Sequence, residues 1–214
     1  MAVEITEEFV WQSIPRRARD SHKGTFGSVL AVAGSAFYRG AALLAAEGAL
    51  RTGAGIVTLA SVEPVVSAAV TRLPECCLCP CKEGAQGGIA PENVPLLRRQ
   101  KATVLLLGPG LGSTAQSAAR ATETRTLVQQ LLPGFAGAAV LDADGLNAAA
   151  QLLAEGKPFP FSKVPSPSSS PANAVIDSAV RPVAVAETAI TAAEAKASAF
   201  LPSFFFSINI LLEN

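Results

Sequence analysis

From Gly27 onward the chain alternates short apolar runs with longer mixed segments. Ser28–Ala33 (SVLAVA) is an uninterrupted apolar run set between glycines, the pattern of a strand buried on both faces. The Ala/Leu-rich stretch between Gly40 and Arg51 has helical composition, and Gly53 and Gly55 are placed to end it. Ile56–Ala60 predicts a second strand, and Pro64–Thr71 a short helix with proline in its first turn. Thr103–Leu107 and Ala138–Leu141 predict two more strands. The helices that follow them are Ser117–Leu132 and Gly145–Ala154. Leu73–Pro95 reads as irregular. Strands alternating with helices predict an α/β fold, a mostly parallel sheet covered on both faces.

The ends break this rhythm. Residues 1–21 read as a lead-in with a short helix over Glu4–Trp11, stopped near Pro15. Lys157–Pro171 (KPFPFSKVPSPSSSP) is dense in Pro and Ser and has no hydrophobic period. Arg181–Phe200 reads as one weakly amphipathic helix. None of the 17 glycines lies after Gly156, although a continuing α/β design needs glycine at its caps and strand-end loops. The chain therefore divides into a lead-in (1–21), an α/β domain (22–160) and a divergent Pro/Ser/Ala-rich tail (161–214).

Composition removes several function classes. The chain has 214 residues, half of them hydrophobic and 16% charged, which suits one globular domain with a core. Net charge is zero and no Lys/Arg run occurs, so neither nucleic acid nor a membrane surface is an expected partner. No segment approaches the ~20 apolar residues of a spanning helix, and the N-terminus lacks the apolar core of a secretory signal. A soluble, cytoplasmic protein is expected. The four cysteines crowd into Cys76, Cys77, Cys79 and Cys81, without the separated ligand pairs of a structural zinc site. They read as small buried or half-buried thiols, and no protein metal site is assigned.

Candidate chemistry lies where strands end. Gly34 with Gly40, then Gly108, Gly110 and Gly112, and finally Gly145 fall at carboxyl ends of strands, where open parallel sheets bind ligands. Glycine lets backbone approach a ligand, and a following helix N-terminus offers N–H groups to phosphate. Neither G-S-A-F-Y-R-G nor G-P-G-L-G is a dinucleotide fingerprint or a P-loop. Asp142 and Asp144 flank Ala143 at a strand end. One of them is a candidate water-mediated Mg²⁺ ligand, or the two cap the following helix and brace the loop; Asp144 reads first as a helix cap, and Asp142 as the more functional of the two. His22 reads as a hydrogen-bonded structural residue and Glu47 as lying on the solvent face of its helix.

Four linked strings carry a family resemblance over about Phe9 to Pro160. They are HKGTFGSVLAVAGSAFYRGAALLAAEGALRTGAGIVTLA (His22–Ala60), RLPE (Arg72–Glu75), LLLGPGLGS (Leu105–Ser113) and VLDADGLNAAA (Val140–Ala150). Together they resemble the NAD(P)H-hydrate dehydratase family of the ribokinase-like superfamily. The resemblance implies repair of hydrated NADH and NADPH, with ADP or ATP as phosphoryl donor and Mg²⁺ as cofactor. The ring hydroxyl is phosphorylated and phosphate is then lost. Self-association is implied as well. By the same resemblance Ala41 and Gly112 would line the hydrated-nicotinamide site, and Gly108 and Gly110 would shape its loop. Asp142, Asp144 and Asn147 would form a platform near the phosphates.

Two family strings do not follow. Where the family has T-P-H-P-G-E, this chain has KVPSPSSSPAN (Lys163–Asn173), and a later G-[ST]-G-D cannot be spelled without glycine. That string makes the family's anion hole, and its Asp is the expected base; Asp177 is the only Asp of the tail. One reading takes the tail as an out-of-frame or foreign translation. The other takes the chain as a degenerate relative that keeps a binding half. Both predict weak or no dehydratase activity, and the alternative function is a non-catalytic binding or regulatory protein for adenine or nicotinamide nucleotides.

Overall fold

The computed structural model describes residues 6–8, 11, 17–113, 115–156 and 210–212. Two compact units are present. In the unit formed by Met1–Ser21 and Val164–Pro202, Glu7, Glu8 and Trp11 are helical, and the Trp11 indole N–H donates to Glu7 Oε1 at 3.3 Å. The expected helix over Arg181–Phe200 lies outside the described residues.

The other unit, His22–Lys163 with Ser203–Asn214, holds the sheet. Its elements are β1 (Ser28–Val32), α1 (Arg39–Arg51), β2 (Ile56–Val62), α2 (Glu63–Arg72), β3 (Cys77–Cys81), α3 (Val94–Arg98) and β4 (Val104–Leu107). They continue with α4 (Ala118–Leu131), β5 (Ala138–Leu141), α5 (Ala143–Ala154) and the short β6 (Ile210–Leu212). Sheet order is β3-β2-β1-β4-β5-β6. The first five strands are parallel, with Val29 level with Val57 on one side and Val104 on the other. β6 runs antiparallel to β5, pairing Leu141 with Ile210, so three residues of the tail add a strand beyond Ala138–Leu141, the last that the sequence pattern predicts.

Why these runs become strands is plain from burial. Leu30, Ala31, Val32, Leu59, Leu105, Leu107 and Leu141 are all buried, as continuous apolar strands between two helical layers require. α1 and α2 pack on each other beside β1 and β2, while α4 packs against α5. Right-handed crossovers running outward from β1 in both directions place these two helix groups on opposite faces. Strand order reverses between β1 and β4, which puts the crevice of the sheet at their carboxyl ends.

One segment corrects the sequence reading. Cys77–Cys81, expected to be irregular, is an edge strand paired in parallel with β2. Proline at position 80 and the run of cysteines hid it, yet Cys79 and Cys81 bury on alternate positions as a strand demands. Proline is tolerated there because the strand is at the sheet edge. All four thiols are free; Cys76, Cys79 and Cys81 are buried and Cys77 is exposed. Burial raises the pKa of Cys76 and Cys79 and pushes Cys81 up to about 12. Such thiols are packing groups in the neutral form.

Candidate functional site

The carboxyl ends of β1, β4 and β5 meet through backbone. Gly34, just beyond β1, has φ +83° and donates its N–H to Pro109 O at 2.7 Å. Gly108, just beyond β4, has φ +134° and donates to Val32 O at 3.2 Å. A Cβ on Gly108 would overlap the carbonyl of Asp142, so the loop after β4 crosses the turn after β5 at a point only glycine permits. Asp142 in turn donates its N–H to Leu107 O at 3.2 Å and accepts from Gly145 N at 3.0 Å, closing the first turn of α5.

Gly110 brings the same loop onto α1. A Cβ there would lie 2.8 Å from Tyr38 Cβ and 2.9 Å from Ala41 Cβ, closer than side chains pack. The expected substrate residues Ala41, Gly108, Gly110 and Gly112 are thus gathered in one loop-and-helix wall. α1 begins without a side-chain cap, since Tyr38 makes no capping hydrogen bond. Phe37 and Tyr38 beside it are exposed.

Asp144 does not cap its helix. It sits inside the first turn of α5, and its Oδ2 accepts the Gly112 N–H at 2.8 Å. The carboxylate is therefore a brace between β5's helix and β4's loop, a charge-assisted bond across 32 positions of chain. Ala143 before it has φ +46°, an uncommon conformation for a residue with a side chain. Asn147 stands one turn further on. With Gly112, Ser113, Thr124 and Asp144 it lines a pocket of about 20 Å³ of water-sized space, room for a single water. Of the three residues expected to form a platform, Asp144 and Asn147 line this pocket and Asp144 is engaged by the loop, whereas Asp142 is not among its lining residues.

Two other expectations resolve simply. His22 Nδ1 accepts the Gly24 N–H at 3.1 Å and caps a short 3₁₀ turn, a structural role. Glu47 is not on an open solvent face: it is part-buried between α1 and α2, paired with Arg51 at 2.6 Å and Arg72 at 2.9 Å. The hydrogen bond from Arg72 holds its carboxyl below the usual range.

The sequence reading missed Arg120 and the 84–90 loop. Arg120 is fully buried. Its guanidinium donates to Ile89 O at 3.0 Å, Ala85 O at 3.3 Å, Glu123 Oε2 at 3.0 Å and Thr124 Oγ1 at 3.1 Å. The Thr124 hydroxyl donates a hydrogen bond to Gly112 O at 2.6 Å. Burial lowers the Arg120 pKa, opposed by Glu123 and Asp144, and four acceptors keep the charge compensated. The 84–90 loop also touches the β1 loop, where Ala36 donates to Gly87 O at 2.8 Å. The available signal was an arginine on the stripe Arg120, Thr124, Leu127, Leu131, all buried at helical spacing.

A metal has little protein to hold it here. Among the described residues no group of three or more His, Cys, Asp or Glu side chains is arranged as a metal site. Nucleotide-bound Mg²⁺ does not ask for one, since it takes one or two carboxylates plus phosphate oxygens and water. Of the two aspartates here, Asp144 is the one that accepts the Gly112 N–H.

Sheet order, flanking helices and a glycine wall at the switch point define a ribokinase-like α/β protein. A family model described as NAD(P)H-hydrate dehydratase matches residues 29–161, and the chain belongs to that family. It is 35% identical over 164 residues to the ADP-dependent (S)-NAD(P)H-hydrate dehydratase of Listeria monocytogenes, covering 75% of this chain and 52% of that protein. It is 40% identical over 131 residues to the bifunctional NAD(P)H-hydrate repair enzyme of Gloeobacter violaceus, covering 61% of this chain and 24% of that one. Among solved structures, the ADP/ATP-dependent NAD(P)H-hydrate dehydratase from Bacillus subtilis, co-crystallised with ATP/Mg²⁺, superposes with TM-score 0.52. Identity there is 31%, over 66% of this chain and 46% of that one. A ribokinase-like superfamily protein from Enterococcus faecalis shares the fold at TM-score 0.55 and 23% identity, over 69% and 47% of the two chains. The chain spans about half or less of the length of these relatives.

Proposed function

We propose that residues 22–156 carry the nicotinamide-facing part of a site for nucleotide-dependent dehydration of hydrated NADH and NADPH. The observation that carries this reading is the convergence of Ala41, Gly108, Gly110 and Gly112 on one strand-end wall, braced by Asp144. The names of the relatives support the substrate, and the ATP/Mg²⁺ co-crystal of the Bacillus subtilis protein supports a nucleotide donor.

In this reading the wall takes the damaged ring through backbone contacts, and the uncapped start of α1 offers N–H groups to an anion. Mg²⁺ would supply charge neutralisation when bound with the nucleotide, and Asp142 and Asn147 would be the residues to hold it through water. The chemistry then needs a base for the ring hydroxyl and donors for the transferring phosphoryl group. The family's glycine loop and its Asp serve there, and residues 157–214 contain no glycine and one Asp. The chain by itself is therefore a binder with weak turnover, slower by roughly 10²–10⁴-fold for the missing acid–base help alone.

The test is a turnover assay on the purified chain with hydrated NADPH, Mg²⁺ and ADP or ATP. Restoration of reduced nicotinamide at the rate of a full-length relative would overturn the weak-turnover part. Reading the encoding locus in all frames beyond Lys163 decides between a misread tail and a degenerate binder.

A further inference from the structure

The glycine loop is not held by its own turn alone. Gly112 is fixed at both of its backbone polar groups: its N–H to Asp144 and its carbonyl to the Thr124 hydroxyl. That hydroxyl has one proton, which goes to Gly112, so it must accept from Arg120 Nε on its other side. Donation into the hydroxyl polarises it and strengthens its bond to Gly112. The same guanidinium grips Ala85 O and Ile89 O, and the Glu123 carboxylate it pairs with accepts the Ala85 N–H at 2.8 Å. Gly88 lies so close that a Cβ there would overlap the guanidinium.

We propose that Arg120 and Thr124 act as a positioning pair, setting the Gly112 peptide against the 84–90 loop so that the strand-end wall is formed before ligand arrives. The buried guanidinium ties two loops that are 22 or more residues apart in sequence to one helix. Neither side chain has to touch ligand. The ligand part of this proposal rests on the reading of the wall as a nicotinamide-facing site; the loop-setting part does not.

Two measurements on the whole chain separate these parts: amide hydrogen exchange at Gly112 and Ser113 without ligand, and NADPH affinity. Thr124→Val keeps shape and removes the hydroxyl, whereas Thr124→Ser keeps it. Thr124→Val is expected to speed exchange at Gly112 and Ser113 and to weaken NADPH binding, each about three- to tenfold, with Thr124→Ser restoring both. Arg120→Lys, which keeps charge and loses the fork, is expected to act in the same place and to add little to Thr124→Val. If Arg120→Lys does not fold, the Thr124 pair carries the test. Exchange that is unchanged in Thr124→Val, or that rises evenly over the whole sheet, overturns the proposal. A local rise in exchange in a chain that never binds NADPH supports the positioning pair and overturns only the ligand reading.

Discussion

Asp144 Oδ2 accepts the backbone N–H of Gly112 at 2.8 Å, so the carboxylate after β5 fixes the loop after β4. A carboxylate–amide bond that is part-buried is worth more than a neutral one, about 1.5–3 kcal/mol at its best. Asp144→Ala should therefore destabilise the chain by roughly 1–2 kcal/mol in urea unfolding, and Asp144→Asn, which keeps an acceptor, by less. Equal losses in both would show that charge contributes nothing at this contact.

Glycines in this chain are not equivalent. Gly108 has φ +134° and no room for a Cβ beside Asp142 O, whereas Gly48 lies inside α1 with nothing within 4 Å of its Cβ direction. Gly108→Ala is expected to cost about 3 kcal/mol through strain and overlap. Gly48→Ala is expected to stabilise by about 1 kcal/mol through helix propensity. Thermal unfolding of the two variants checks the signs, which should be opposite.

The thiols make a separate prediction. Burial raises Cys81 from 9.0 to about 12, with Cys76 and Cys79 raised as well, whereas Cys77 is exposed. A disulfide reagent at neutral pH should modify Cys77 quickly and the other three only after denaturant, and Cys77→Ser should abolish the fast phase. The folded state holds these protons more tightly than the unfolded state. Their contribution to stability is thus complete below about pH 9 and is lost as pH rises toward 12.

Glu47 gives the opposite sign. Its carboxyl is held below 4.5 by the Arg72 hydrogen bond first, with Arg51 adding charge. Stability from this contact is present above pH 4.5 and lost as pH falls through the lowered value. Glu47→Gln should therefore unfold more easily than the parent at neutral pH and differ little from it in strong acid. Added salt should narrow the neutral-pH gap, as expected of a contact at the protein surface.

Most of the α/β frame was legible because its strands are apolar on both faces and α1, α2 and α5 carry glycine or proline at or near both ends. β1, β2, β4 and β5 lie where Ser28–Ala33, Ile56–Ala60, Thr103–Leu107 and Ala138–Leu141 placed them. β3 was not legible, because a proline and three cysteines mask period-two burial on an edge strand. Strand-end logic pointed to the Gly108–Gly112 loop and the family resemblance to Ala41, but neither pointed to the partners of Gly112. Asp144 and Thr124 reach it from helices 32 and 12 positions away, contacts that no local pattern encodes. Arg120 looked like any helical arginine until burial showed it on the apolar stripe.

The central claim is that the wall made by Ala41 and the Gly108–Gly112 loop receives a nicotinamide nucleotide. Calorimetric titration of NADPH into the chain and into Ala41→Leu, which adds bulk where Gly110 meets α1, tests it most directly. The account predicts saturable binding by the parent chain and at least about tenfold weaker binding by a folded Ala41→Leu variant. No binding by the parent, or equal affinity in the two, would contradict it.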